Sequence, residues 1–262
     1  MIPRAALSRI DRVASQGRTG PILSACEIDD GSEVEAFVKL SAGCDQGVVN
    51  LAREAIAVCL AADLGLPVPK PMIVEIPPEI IPIVADVQVA NRLRQSCPVA
   101  FGSTRTPGFT AWSTGQRLTD ATRPTATGIL LFDAIIQNPD RRDENPNCLV
   151  QGNELRIIDH ELAFAHRLIL LWRAPWVLGG MKDLETPGRH IFLRELKGAP
   201  IDFTLIKSRW NGLSDARLQE YGRVIPPEWA AAQADIDAAL KLIADARDNI
   251  DGCITELGRV LA

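Results

Sequence analysis

Leu131 to Phe164 reads LFDAIIQNPDRRDENPNCLVQGNELRIIDHELAF, the one stretch in which charged groups, asparagines and apolar strand-like runs are interleaved at spacings that suggest chemistry. Gly128 to Ile136 is an apolar run of helical character. The polar segment Asn138 to Asn147 follows, and its prolines, Pro139 and Pro146, stop any helix. Two short apolar runs come next, Cys148 to Val150 and Leu155 to Ile158, joined by Gln151, Gly152, Asn153 and Glu154. That spacing predicts a hairpin with a glycine-containing turn and leaves Asp159 at the strand exit. The loop offers Asp140 and Asn145, five residues apart, and the hairpin brings Asp159 back beside them.

Two carboxylates and an amide oxygen are hard donors of the kind that hold Mg²⁺, which takes one or two protein carboxylates and fills its other positions with water and substrate phosphates. A carboxylate beside the metal can also accept a hydroxyl proton. The plainer reading is a surface loop of solvated charges in which an aspartate caps a turn, because an isolated Asp-x-x-x-x-Asn is a weak pattern. Loop, hairpin and second aspartate in that order make a stronger one.

Asp-Arg-Arg-Asp-Glu-Asn at Asp140 to Asn145, followed by Ile-Asp-His-Glu at Ile158 to Glu161, resembles the HipA-like kinases. More distantly it resembles the Asp-Arg-His-x-x-Asn catalytic loop of the phosphoinositide kinases. Asn138-Pro139-Asp140-Arg141, Asn145-Pro146-Asn147 and Ile158-Asp159-His160 are most similar to the compact, single-unit HipA-like kinase domain. The resemblance covers most of the chain, although its specific motifs are confined to this loop, one lysine and one helix. It implies that Asp140 is catalytic and that Asn145 and Asp159 hold metal, as the corresponding residues do in kinases. No His-Arg-Asp triplet precedes the loop, and Asp159-His160-Glu161 stands where ordinary protein kinases have Asp-Phe-Gly. Both departures fit the HipA-like branch.

The 262 residues suffice for one large domain or two lobes with a sizeable core. Hydrophobic residues at 47% and charged residues at 23% are ordinary globular values that point away from disordered and fibrous classes. A net charge of -5 argues against a nucleic-acid-coating surface, while leaving room for a local basic groove. The six cysteines (Cys26, Cys44, Cys59, Cys97, Cys148, Cys253) form no C-x-x-C pair and have no histidine at zinc-finger spacing, so reduced thiols are expected. MIPRAALSRIDRV lacks the apolar stretch of a signal peptide, and no run approaches the ~18 apolar residues of a membrane span. The expectation is a cytoplasmic protein with no membrane partner and no direct nucleic-acid binding.

Upstream, apolar runs around Ile10 to Ala14, Ile22 to Ile28 and Val34 to Leu40 predict three antiparallel strands. The first connection contains Gly17, Arg18, Thr19 and Gly20. Its backbone N–H groups can close over phosphates with Arg18 adding charge, or it is a plain hairpin turn, since two glycines do not make a G-x-G-x-x-G. Lys39, near the end of the third strand, shares a face with Phe37, opposite Val38 and Leu40. It is either an ordinary solvent-facing lysine or, as the downstream loop favours, the lysine that grips the ATP phosphates in kinases. Gln46 to Leu64 predicts a helix ending at Gly65 and Pro67, with Glu54 on a stripe shared with Leu51 and Val58. The resemblance implies that Glu54 orients Lys39; Arg53 or solvent is the alternative partner.

Met72 to Ile76 suggests another strand, Pro77 to Ser96 a loop leading into a helix or mixed segment, and Val99 to Phe101 the last strand before a connector over Gly102 to Gly108. No residue there reads as a specific adenine contact. Beyond the hairpin, Trp172 and Trp176 stand four apart at helical spacing, which reads as core packing or coverage of the hairpin. His160 is taken as structural because Mg²⁺ prefers oxygen donors, and His166 and His190 have no partner pattern. Leu178 to Gly188 suggests a flexible loop in the place of a kinase activation segment, or an ordinary interhelical loop. Phe203 to Ala262 reads as helical, with Pro226-Pro227 opening a helix through Ala246 and a last helix from Asn249 to Val260.

The sum is an α+β, bilobal, protein-kinase-like fold: a strand-rich N-lobe over 1–103 carrying the phosphate loop, Lys39 and Glu54, and a mainly helical C-lobe over 104–262 carrying Asp140, Asn145 and Asp159. The resemblance implies ATP and Mg²⁺ as cofactors, held between the lobes, and transfer to Ser/Thr of a protein. Some HipA members are toxins that modify aminoacyl-tRNA synthetases, but nothing in the chain points to that target. The additional N-terminal subdomain of full-length HipA proteins is expected to be missing, and an antitoxin partner has no support in the sequence. Rival readings are a kinase of a small molecule or lipid, a nucleotide-binding pseudokinase or adaptor, and a metal-dependent hydrolase using Asp140, Asp159 and His160.

Overall fold

A computed structural model describes residues 2–14, 19–113 and 115–262. It is a mixed α/β structure, rich in sheet in its N-terminal part and helical in its C-terminal part. The chain divides into two compact units. One comprises Met1–Ala55, Pro69–Pro107 and Arg223–Ile236; the other comprises Ile56–Val68, Gly108–Gly222 and Asp237–Ala262. Neither is one contiguous stretch, so these limits differ from a single cut between residues 103 and 104.

The first unit is built on five strands, β1 (Arg4–Val13), β2 (Ile22–Ile28), β3 (Glu33–Lys39), β4 (Pro71–Glu75) and β5 (Val99–Thr104), in the order β1-β2-β3-β5-β4. The expectation is an antiparallel sheet; the observed sheet closes into a barrel because β1 also pairs parallel to β4, Arg4 with Ile73 and Ala6 with Glu75. β1 begins at Arg4 and not near Ile10, its first residues pairing on both sides, Ala5 with Ile28 of β2 and with Val74 of β4. Irregularities between Leu7 and Arg9 and between Ile10 and Arg12 let one long strand serve two partners. Inward residues such as Leu7, Ile22, Val38, Met72 and Val74 fill the barrel. Gly102 of β5 lies against them, and a Cβ there would sit 2.7 Å from both Met72 Cγ and Val74 Cγ2. Helix α1 (Val48–Asp63) follows β3 within two residues of its expected bounds. Helix α2 (Val87–Gln95) packs Val89 and Leu93 on the barrel core, and its N-cap Asp86 accepts from the Gln88 and Val89 N–H groups.

The second unit is organised around α3 (Arg123–Ile136), in which every residue from Ala126 to Ile136 is buried. An apolar run with no polar face belongs in the middle of a unit. The helix starts earlier than the apolar run because Pro124 suits a first turn, where its missing N–H costs no hydrogen bond. It ends at Gln137, left-handed at φ 56°, whose N–H caps the Asp133 carbonyl. Strands β6 (Thr110–Ala111), β7 (Cys148–Gln151) and β8 (Glu154–Ile157) form a small sheet, with Val150 opposite Leu155 and Gly152 supplying φ 57° in the turn. Strand β6 has no sequence signal of its own.

After the hairpin the expected helical packing of Trp172 and Trp176 does not form. Turns and short 3-10 helices occupy 160–192, with Trp172 Nε1 donating to Gln137 Oε1 at 3.1 Å. The turn at 179–181 is held by Glu256, whose Oε1 accepts from the Gly179 and Met181 N–H groups at 2.9 and 3.3 Å. Helices α4 (Leu193–Leu196), α5 (Thr204–Asn211), α6 (Asp215–Arg223), α7 (Gln233–Asp248) and α8 (Ile250–Leu261) complete the chain. Pro226-Pro227 opens a short 3-10 turn, Pro227–Ala232, and α7 begins only at Gln233 because Trp229 leaves helical geometry. None of the six cysteines is in a disulfide, and among the described residues no helix is long and apolar enough to cross a membrane.

Candidate active site

The second unit brings Asp140 and Asn145 into direct contact, Asn145 Nδ2 donating to Asp140 Oδ2 at 2.7 Å. Asn147 Nδ2 reaches the same oxygen at 3.3 Å and the Asp140 carbonyl at 3.1 Å, while Arg142 Nη2 donates to Oδ1 at 3.1 Å. The loop closes on itself through paired backbone bonds of 3.0 Å between Arg142 and Asn145. A carboxylate accepts only, so the face of Asn145 toward Asp140 must be its NH₂, and its Oδ1 points the other way.

Beneath this loop lies a buried ionic cluster. Arg141, fully buried, sends Nε to Asp133 Oδ2 at 2.5 Å and Nη2 to Oδ1 at 3.3 Å, while its Nη1 donates to the carbonyls of Asn147 and Ile158. Asp133 also receives Asn138 Nδ2 at 2.8 Å and His190 Nε2 at 3.1 Å. Burial alone would raise the Asp133 pKa, but the Arg141 charge and the His190 hydrogen bond outweigh it and hold the carboxyl well below the ordinary range. Burial keeps His190 below its usual value despite Asp133, and the Phe192 N–H donating to His190 Nδ1 at 3.2 Å requires an unprotonated nitrogen there. His190 is therefore neutral, with its proton on Nε2 facing Asp133.

Asp159 follows Ile158 directly, in the left-handed region at φ 60°. Ile158 is tied to the loop twice, by its N–H to the Asn147 carbonyl at 3.0 Å and by its own carbonyl to Arg141 at 3.3 Å. The Asp159 charge is close enough to help raise the Arg141 pKa. Positive φ at an aspartate and at Asn147 (φ 41°) is backbone strain of the kind that clusters at functional sites. Among the described residues no group of three His, Cys, Asp or Glu side chains could hold a metal, so a closed all-protein cage is absent. The Asp159 carboxylate and Asn145 Oδ1 are oxygen donors, a chemistry that suits Mg²⁺ better than zinc.

In the first unit Lys39, 8% exposed, stands at the end of β3 with Nζ 3.1 Å from Glu54 Oε2 of α1. It is not a solvent-facing lysine. Arg53, the alternative partner for Glu54, turns instead to Gln46 Oε1 at 2.8 Å and Asp235 Oδ1 at 2.6 Å. Gly17 and Arg18 lie outside the described residues. At the following Thr19 and Gly20, both carbonyls accept from Arg92 Nη2 of α2 at 2.8 Å, so a helix arginine anchors this end of the connection. Sequence reasoning missed Arg92, Asp133, Arg141 and His190. Arg141 was visible only as part of a motif, and Asp133 and His190 are 57 residues apart, beyond any local pattern.

A search of curated proteins gives no match. Among solved structures the chain is similar to the crystal structure of a Helicobacter pylori proinflammatory kinase, CtkA, at 11% identity and a TM-score of 0.44, over 93% of this chain and 98% of that one. The profile of the HipA-like kinase family matches residues 7–255. That match spans nearly the whole chain and includes the Asp140 loop, the Asp159 hairpin and the Lys39 strand, and the chain belongs to the HipA-like kinase family.

Proposed function

We propose that the chain transfers the γ-phosphoryl group of ATP, in the presence of Mg²⁺, to a serine or threonine hydroxyl of a protein. The observation that carries this reading is the buried Lys39–Glu54 ion pair, because a strand lysine held by a helix glutamate must be in place for kinase chemistry. In this scheme Lys39 neutralises phosphate charge, and Asn145 Oδ1 and Asp159 hold the metal. Mg²⁺, when bound, supplies positive charge where negative charge builds on the transferred group.

Asp140 has both oxygens engaged, Oδ2 by two asparagines and Oδ1 by Arg142 alone. A carboxylate offers about four lone-pair positions, so Oδ1 retains one for the acceptor hydroxyl. That oxygen takes the proton as the acceptor oxygen bonds to the γ-phosphorus and the bond to ADP breaks. The test is transfer of label from γ-labelled ATP to the protein itself and to a serine/threonine peptide library. Asp140→Asn should abolish transfer while leaving the fold intact; wild-type transfer by that variant would overturn the role of Asp140. Label in small-molecule hydroxyls but not in peptides would replace the acceptor.

A further inference from the structure

The segment that follows the hairpin returns to the loop at two points and to α3 at one. Asp143 N–H donates to the Gly188 carbonyl at 3.3 Å, Ile191 N–H donates to the Arg141 carbonyl at 3.2 Å, and His190 Nε2 lies 3.1 Å from Asp133 Oδ2. The Asp133 carboxylate then has all four acceptor positions in use: Asn138 and Arg141 Nη2 on Oδ1, Arg141 Nε and His190 on Oδ2. A saturated carboxylate has one orientation, and it fixes the Arg141 guanidinium. Arg141 in turn grips the carbonyls of Asn147, which holds Asp140, and of Ile158, which precedes Asp159.

We propose that His190 is a positioning residue for phosphoryl transfer: acting through Asp133 and Arg141, it sets the separation of Asp140 and Asp159 and so couples the 188–192 segment to the catalytic loop. The inference rests on the kinase reading above. The ring is suited to the task because its two nitrogens face opposite ways, Nδ1 accepting from Phe192 N–H and Nε2 donating to Asp133. It is 2% exposed and touches no reacting atom in the scheme, so its effect is one of geometry. Displacement of a reacting group by ~1 Å can cost about 10²-fold in rate.

The experiment compares wild type, His190→Ala and His190→Gln in two readouts. In transfer assays His190→Ala should lower kcat by about 10- to 100-fold with the KM for ATP unchanged, and His190→Gln, which restores a donor near the Nε2 position, should recover most of the loss. In hydrogen exchange, which needs no activity, His190→Ala should speed exchange of the 138–148 peptide while leaving the centre of α3 protected. Faster loop exchange in His190→Ala, where the wild type itself transfers nothing, would sink the kinase reading and keep the coupling. Unchanged loop exchange, exchange raised equally throughout α3, or a rise in KM with kcat intact would overturn the positioning role.

Discussion

Two residues in the first unit and three in the second divide the proposed work, and each can be tested singly. Lys39→Met removes the charge while keeping an apolar stem of similar length in a buried place. Removal of one preorganised electrostatic contact of this kind costs about 10²–10³-fold in rate, so phosphoryl transfer should fall by that factor. Unchanged circular dichroism would show that the loss is chemical, and full transfer by Lys39→Met would remove Lys39 from the scheme. The second unit gives a pH signature. His190 has its pKa held down by burial, so between its native value and the usual ~6.5 the unfolded chain binds a proton that the native state refuses. This contribution is complete above about pH 6.5 and is lost as the pH falls below it. Asp133, held well below the carboxylate range, keeps its contribution above about pH 3.9 and loses it only under stronger acid. Urea midpoints should therefore decline from pH 6.5 to 5 more steeply in wild type than in His190→Gln; equal slopes would contradict a neutral buried His190.

At the scale of elements, the barrel makes its own prediction. Gly102 faces Met72 and Val74 at distances that leave no room for a side chain. Gly102→Val should destabilise by about 1–3 kcal/mol or more through overpacking, measured as a lower urea midpoint, and an unchanged midpoint would show that the barrel interior can yield. The same barrel marks what a sequence withholds. Strands β2 and β3, the hairpin β7–β8 and helix α1 were legible because their signals are local: alternation, Gly152 in the turn, Gly65 and Pro67 after the helix. The first half of β1 was not, because Arg4 to Ala6 are strand through pairing with residues distant in sequence, Ala5 with Ile28 of β2 and Arg4 with Ile73 of β4. Strand β6 has two residues and exists only against β7. The two tryptophans at helical spacing misled, since Gly180 and the bonds to Glu256 serve a turn packed closely on itself, with Ala174 O where a Gly180 Cβ would stand. In the candidate site, the contact of Asp140 with Asn145 was legible from their spacing in the loop. The buried Asp133–Arg141–His190 cluster that underlies them was not, because a histidine in a turn gives no sign of a carboxylate on a distant helix.

For the molecule as a whole, family membership places the chain among HipA-like kinases, and the two compact units carry complementary parts of the proposed machinery: a buried lysine–glutamate pair in one, a base and an oxygen donor pair in the other. The claim that the chain binds ATP with Mg²⁺ through Asp159 is tested most directly by thermal unfolding of wild type and Asp159→Ala, with ATP and Mg²⁺ added separately and together. A ligand that binds only the native state raises the melting temperature by mass action, by an amount equivalent to about 2.7 kcal/mol at a hundred times Kd. The account predicts that ATP stabilises the wild type more with Mg²⁺ than without it, and that Asp159→Ala loses this increment while keeping its own unliganded melting transition. Absence of any shift in wild type at millimolar ATP with Mg²⁺, or an equal Mg²⁺-dependent increment in Asp159→Ala, would contradict it.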